Sequence, residues 1–503
     1  MTDMILRHWD FPKVVLTAGF VLSLAVGSIF VAQNRVGTFN DDAFYYLGAK
    51  SIVESGRYAN PCRPEQPPMA AFPIGFSLLL APVVFLFRHD LAPLHAFQLL
   101  LFAAATCMLL ALALRRLSRP GVALLGLWWL CSVFPAGMAA ALMSDVPFLL
   151  AVLAALWLLD TGRLGAALAV AVGAGLIRPL GWLLVPAILV DAYFQYPRRH
   201  FWRMIAALAG VGLAAGSALL WIGGGGESVL PPPLRRGLSV VFSRYGEIWS
   251  ENLSFYGRSL AATQFFPSRA WEAAAPIMPT IVLLSGCAAA AAAVGLWQEA
   301  RRRPAIVLYA SLYAVALGSW FLSDFRYLLP LRALLLLAVL VGFEAGEKRW
   351  PAARVAKWLC VAAGIYLGAV DVWGQRQLRV VRFEQKHAWI SEHVRPADIL
   401  ADDLDGITCI NTGRQVYPYF WDNGAAPEQI VARLRQRGVR YFVAAYGLDY
   451  VNPQAQALNT AWREAQRAET FRFLGQSPDL SLVFDDPAEQ IRIYKTAAAA
   501  AGP

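Results

Sequence analysis

The chain has 503 residues, of which 58% are hydrophobic and 16% charged, with 17 Trp, 28 Phe and a formal charge of +10. A chain of this length with so few charges is not a soluble globular enzyme but a membrane protein. The positive excess falls in short loops between apolar runs, so it reports orientation across a bilayer and not an affinity for nucleic acid.

The first apolar run, 13–33, matches the ~20 residues that cross the hydrocarbon core, and no small-residue cleavage site follows it, so it reads as a retained anchor. Further runs at 93–114, 120–138, 146–161, 163–177, 180–195, 201–222, 276–297, 304–322, 327–343 and 352–373 predict about eleven spans in all. The stretch 72–87 is short and bracketed by Pro73 and Pro82, and it reads as an interfacial helix. With it outside the bilayer, Arg115, Arg116, Arg119, Arg163, Arg198, Arg199, Arg203, Arg301, Arg302, Arg303, Lys348 and Arg349 all fall on one side. By the positive-inside rule that side is cytoplasmic. The first outer loop (34–92), the loop 139–145, the turn near 178, the large loop 223–275, the turn 323–326 and the chain after 375 then share the outer face.

The polar clusters gather on that face. Directly after the first run stands the acidic pair Asp41 and Asp42, opening an amphipathic stretch that carries Lys50 and leads to Arg57. Charge beside hydrocarbon is expensive, so such groups tend to line a polar cavity or a substrate path; the alternative is an N-terminal helix cap. The turn Ser144-Asp145-Val146-Pro147 is in the same position, since a proline in the first turn is an ordinary helix start. Arg178, in Ile177-Arg178-Pro179, and Arg326, in Ser323-Asp324-Phe325-Arg326-Tyr327, are either binding groups or headgroup anchors.

An acidic pair after the first span, the segment Phe72-Pro73-Ile74-Gly75, a Ser-Asp turn, an Ile-Arg-Pro turn and the run Arg326-Tyr327-Leu328-Leu329-Pro330 occur in one order. In this the chain resembles the GT-C superfamily of polytopic glycosyltransferases over roughly residues 10–375. Within it the chain is similar to the bacterial branch related to protein O-mannosyltransferases and lipid A aminoarabinose transferases. The resemblance implies Asp41 as catalytic base, Asp42 in the place usually held by Glu, and Asp145 as the second outer-loop acid. It also implies a lid role for the loop 223–275 through Arg244, Tyr245 or Tyr256, although its aromatic and basic mixture equally suits a plain interfacial helix. Two departures stand out. The family's proline segment is commonly Tyr-Pro-Pro-Gly, and the stretch Pro67-Pro68-Met69-Ala70-Ala71 lacks the acid or His associated with metal in the aminoarabinose transferases.

The chemistry fits these residue types independently. A polyprenyl-phosphate sugar has a leaving group that needs neutralisation and no proton, which arginine supplies with bidentate geometry. The acceptor hydroxyl must lose its proton, which calls for one carboxylate within hydrogen-bond reach, and a single displacement implies inversion. Arg178 and Arg326 are the candidates for the phosphate, with Lys50, Arg57, Asp42 and Tyr245 as further substrate-binding candidates. Asp145 can orient the base, bind sugar hydroxyls or help hold a divalent cation.

After Asp371 the apolar character collapses. Strand-like ADILADD (397–403), YFVAAY (441–446), FRFLGQ, LSLVFDD and IRIYK, with helix-like PEQIVARLRQRG and 454–469, predict a small α/β domain over 376–503. Its acidic run ADDLDG reads as a solvated turn, since it lacks the spacing of a calcium loop. No cysteine pair has CxxC spacing, so no zinc site is legible; Cys62 and Cys409 share the outer face and could pair in an oxidising compartment.

The expectation is therefore an α-helical GT-C module (1–375) with outer-face amphipathic helices and a small soluble domain (376–503). It would sit in a bacterial inner membrane and move a sugar from a polyprenyl-phosphate donor to a lipid, glycan or protein acceptor, among membrane lipids and without nucleic acid. A transporter or flippase is the alternative, but charges stand only at span ends and no repeat symmetry is visible. A scaffold would leave the co-facial acids and arginines unexplained.

Overall fold

The computed structural model describes residues 10–31, 36–37, 40–69, 72–88, 90–195, 246, 249–250, 252–253, 278–319, 325–376, 383–419, 426–445 and 460–496. In chain order the helices are α1 (Phe11–Ser28), α2 (Asp41–Ser55), α3 (Ile74–Phe87), α4 (Ala92–Leu114), α5 (Arg119–Leu130), α6 (Val133–Ala140), α7 (Asp145–Asp160) and α8 (Leu164–Ile177). After a 3-10 turn (Pro179–Leu183) come α9 (Leu184–Gln195), α10 (Met278–Arg302), α11 (Pro304–Gly318), α12 (Leu329–Glu347) and α13 (Pro351–Arg376).

Among the described residues, five helices are long and apolar enough to cross a membrane: Phe11–Ser28, Ala92–Leu114, Val282–Arg302, Arg326–Glu347 and Pro351–Val370. Shorter apolar helices include Ile74–Phe87, Leu164–Ile177, Pro179–Gln195 and Pro304–Gly318. The expected run 120–138 is broken at Cys131 and Ser132 into α5 and α6, and the expected span 201–222 lies outside the described residues.

The chain divides into two compact units, one formed by residues 1–35, 73–76 and 90–378, the other by 36–72, 77–89 and 379–503. In the first unit α12 is the central helix, with nearly every residue from Leu329 to Phe343 buried. It packs on α10, where Gly295 lies against the Ala338 backbone and Gly342 against that of Ala291. Small residues of this kind let helices approach closely where hydrocarbon offers no hydrophobic drive.

The second unit joins α2 and most of α3 to a mixed α/β domain. Its elements are α14 (Glu384–His393), β1 (Ile399–Ala401), α15 (Asp405–Thr412), β2 (Gln415–Tyr417), α16 (Pro427–Gln436), β3 (Val439–Ala445), α17 (Thr460–Gln476), β4 (Leu480–Asp486) and β5 (Ile491–Thr496). The strand order is β2-β1-β3-β5-β4, with β1 parallel to β2 and β3, and β5 antiparallel to β3 and β4. Alternation along β3 sends Tyr441 and Val443 into one core with Phe383 and Ile390, and Phe442 and Ala444 into the other with Ile430, Leu434 and Leu474. Period-2 side chains thus bury both faces of the sheet under helices.

Two local expectations are overturned. The segment FRFLGQ is the last part of α17 and not a strand, because Leu474 is buried against the sheet with Phe471 and Phe473 beside it, burial that a helix end supplies as well as a strand. The acidic run ADDLDG is not a solvated turn: Asp402 and Asp405 are buried, at 4% and 2% exposure. Burial is sustained by partners, for Asp402 accepts from Lys386 Nζ at 3.0 Å and from the Thr408 hydroxyl. Residues 415–417, unassigned from sequence, supply β2.

Candidate active site

In the first unit the sequence places a turn before α7, and three side chains from elsewhere hold it. Two polar residues one helical turn apart on the apolar α4 grip its backbone: His95 Nδ1 pairs with the Ala140 carbonyl at 3.1 Å, and Gln98 Nε2 donates to that of Met143 at 3.0 Å. Ser144 and Asp145 follow, both buried. Arg178, the residue after α8, donates through Nε to the Ser144 hydroxyl at 2.9 Å and through Nη2 to Asp145 Oδ2 at 2.9 Å. The planar guanidinium is thereby fixed in its own plane.

Two glycines press on the end of α8 just before Arg178. A Cβ on Gly75 would stand 2.6 Å from the Leu176 carbonyl group, and one on Gly181 2.3 Å from the Ala174 carbonyl carbon. Gly75 belongs to the Phe-Pro-Ile-Gly segment, whose glycine is a point of close backbone approach.

The third contributor is the 3-10 turn Phe325–Leu328 before α12. The guanidinium of Arg178 lies over the Tyr327 ring at 5.0 Å, and that of Arg326 over the same ring at 5.3 Å. Arg326 Nη1 also approaches Met143 Sδ at 3.9 Å. The Tyr327 backbone is secured by the buried Tyr313, whose hydroxyl donates to its carbonyl at 2.6 Å. Three loops distant in sequence thus bring Arg178 and Arg326 together on one aromatic ring, with Asp145 paired to Arg178, and cation–π contact favours such stacking of arginine.

The acidic pair belongs to the second unit. Asp41 and Asp42 form the first turn of α2, where carboxylates meet the positive end of the helix dipole. They differ in surroundings. Asp42 is fully buried and spends both oxygens on backbone amides, Oδ2 accepting from Gly37 N–H at 2.9 Å and Oδ1 from Ala43 N–H at 2.8 Å, whereas Asp41 is half-buried. Lys50 stands 3.8 Å from Glu54 one turn on, and Arg57 is exposed just past the glycine that ends the helix. Tyr245, Arg244, Tyr256 and the Ser323-Asp324 part of its turn lie outside the described residues. Among the described residues no three His, Cys, Asp or Glu side chains come together as a metal site.

Cys62, in the first-loop segment, and Cys409, on α15, are joined as a disulfide with their Cα atoms 5.7 Å apart. Beside them the Cys62 carbonyl accepts the N–H of Val416 at 2.8 Å, and the hydroxyl of Tyr417 donates to Glu65.

No family model matches the sequence, and no curated protein does. Among solved structures the chain is similar to ArnT from Cupriavidus metallidurans bound to undecaprenyl phosphate, with 15% identity over 98% of this chain and 99% of that one and a TM-score of 0.55. The apo form of the same enzyme gives 14% identity, 98% of each chain and 0.53. The oligosaccharyltransferase of Archaeoglobus fulgidus, in complex with zinc and sulfate, gives 14% identity over 96% of this chain and 73% of that one, with a TM-score of 0.57. The chain has the GT-C fold.

The resemblance read from five short motifs is therefore borne out at the level of the fold, and the likeness to ArnT covers nearly the whole chain, well past residue 375. On this GT-C framework the motif residues Asp145, Arg178 and Arg326 converge, while His95, Gln98 and Tyr327 escaped the sequence reading as site residues. The signal for His95 and Gln98 was present: two polar side chains one turn apart in an otherwise apolar span. Arg332, buried in α12 and donating to Ser132 Oγ at 3.1 Å, was masked by its place inside an apolar run.

Proposed function

We propose that the protein is a membrane glycosyltransferase that moves a sugar from a polyprenyl-phosphate carrier to an acceptor hydroxyl on the outer face of a bacterial inner membrane. The observation that carries this reading is the stacking of Arg178 and Arg326 on Tyr327, with Asp145 holding Arg178, in a fold shared with an enzyme described with undecaprenyl phosphate bound. Arg326 and Arg178 meet the departing phosphate, whose negative charge they offset as the glycosidic bond breaks. Asp145 acts through Arg178, holding the guanidinium in the plane the phosphate needs. Asp41 takes the proton of the acceptor hydroxyl as that oxygen attacks the anomeric carbon, and the single displacement inverts its configuration. Asp42, with both oxygens on backbone amides, supports the helix start that carries Asp41.

The test uses the full-length protein in nanodiscs, offered undecaprenyl phosphate linked in parallel to mannose, glucose, galactose and 4-aminoarabinose, with a crude envelope extract as acceptor. Asp41→Asn is expected to abolish transfer by about 10²-fold or more, the usual contribution of a positioned base, while still binding undecaprenyl phosphate. Arg326→Leu is expected to lose that binding. A folded Asp41→Asn protein with full transfer, or a product of retained configuration by NMR, sinks the mechanism.

A further inference from the structure

The residue just before the acidic pair is held in place by a helix more than three hundred residues away. Asn40 has φ 59° and ψ −46°, a region that a residue other than glycine keeps only when its surroundings fix it. Those surroundings are the first turn of α15. Asn40 Oδ1 accepts from the N–H groups of Gly406 at 3.1 Å and Ile407 at 3.3 Å, and its Nδ2 donates to Asp405 Oδ1 at 3.4 Å. Asn40 thus supplies to α15 the capping oxygen that a local residue usually gives; Leu404, the residue preceding α15, has no side-chain cap.

Nearby contacts agree. A Cβ on Gly406 would stand 3.0 Å from Asn40 Oδ1 and 3.1 Å from Ala43 Cβ, and one on Gly37, whose N–H donates to Asp42, would stand 3.7 Å from both Asn411 Nδ2 and Ile407 Cγ2. The Cys62–Cys409 disulfide adds a covalent tie to the same helix.

We propose that the Asn40–Asp405 pair is a positioning device through which the α/β domain sets the backbone angle at the start of α2, and with it the direction of Asp41. The domain is on this view a working part of the transfer machinery. The inference rests on Asp41 being the base, but its mechanical half, the coupling of α2 to α15, does not.

Two measurements on the full-length protein in nanodiscs test both halves. Asn40→Gly removes the cap while tolerating the backbone angle, and Asp405→Ala removes the other partner. Each is expected to lower kcat by about 10- to 100-fold, the scale of a roughly 1 Å misplacement of a reacting group, with KM for the polyprenyl-phosphate sugar that gives transfer changed less than about threefold. The paired exchange Asn40→Asp with Asp405→Asn keeps one donor and one acceptor between the residues, and is expected to restore kcat to within about threefold of the unaltered protein. In hydrogen exchange, each single variant is expected to loosen segments 40–46 and 405–412 together, and the exchange variant to tighten both.

Unchanged kcat in a folded Asn40→Gly protein, or failure of the paired exchange to rescue, overturns the positioning role. If Asp41→Asn itself retains full transfer, the base reading falls alone, and the coupling stands or falls on whether the two segments loosen together.

Discussion

At the scale of single residues, the order of the motifs was legible and their neighbours were not. The Ile-Arg-Pro and Ser-Asp turns lie 33 residues apart, and no local pattern says that Arg178 will reach back to Asp145. The Phe-Pro-Ile-Gly segment reads from sequence as a family feature; in space its glycine is where a chain crosses the end of α8 against the Leu176 backbone. Gly75→Ala is therefore expected to push that backbone aside just two residues before Arg178. Transfer should fall by about 10-fold or more, since small displacements of a positioning group are costly, and undecaprenyl phosphate binding should weaken in parallel. Gly165, which has open space around its Cβ direction, is the control: Gly165→Ala should leave both near the unaltered level. Equal effects of the two substitutions in a titration with undecaprenyl phosphate would refute this account.

Among the elements, α15 is the one the sequence concealed. Its first residue, Asp405, looks like part of a solvated turn because its partners, Asn40 and Arg63, come from the other end of the chain, and local patterning carries no trace of them. Burial raises the Asp405 carboxyl to about 7, while Arg63, the Asn40 side chain and the Gly406 N–H pull it down and Asp402 adds to the rise. The folded chain keeps that proton up to about pH 7 and the unfolded chain releases it near 4, so this contribution is full below about pH 4 and lost as pH climbs through 7. His387 on α14 runs the other way. Burial first, then Lys386, lower it to about 3 against the opposing pull of Asp402, so its contribution is full above about pH 6.5 and lost as pH falls toward 3. The two slopes oppose one another between about pH 4 and 6.5. Asp405→Asn removes one, so protection of residues 384–412 against hydrogen exchange, corrected for intrinsic rates, should rise with pH more steeply than in the unaltered protein. An identical pH slope in both proteins would show that Asp405 does not carry the buried proton.

Across the whole molecule, α7 ties together two polar clusters, one that the sequence offered as site residues and one that it suggested only as loop charges. Asp145 begins the helix and Asp160 ends it, about 22 Å apart at 1.5 Å per residue. At the Asp160 end Arg116, whose side chain is wholly buried, bridges Asp160 at 3.2 Å and Glu299 at 2.9 Å. Arg115 also pairs with Asp160, and Arg303 reaches Asp191 at 3.0 Å. The sequence counted these arginines as markers of the cytoplasmic side, a count in which acids weigh little. In the fold the same arginines clasp α4, α7, α9, α10 and α11, and one function does not exclude the other. Breaking a buried ion pair from one side strands a charge, which costs about 3–5 kcal/mol, whereas replacing the whole set with well-packed apolar groups is often neutral. Asp160→Leu should therefore lower the apparent Tm in detergent by several degrees. The triple replacement Asp160→Leu, Arg116→Met, Glu299→Gln should recover most of that loss, because Arg115 is part-exposed and Arg303 keeps Asp191. Undecaprenyl phosphate binding at the other end of α7 should survive in both proteins. A single variant as stable as the unaltered chain would mean that this cluster marks orientation only, and a triple variant no better than the single would mean that its geometry, not its charge balance, holds the helices together.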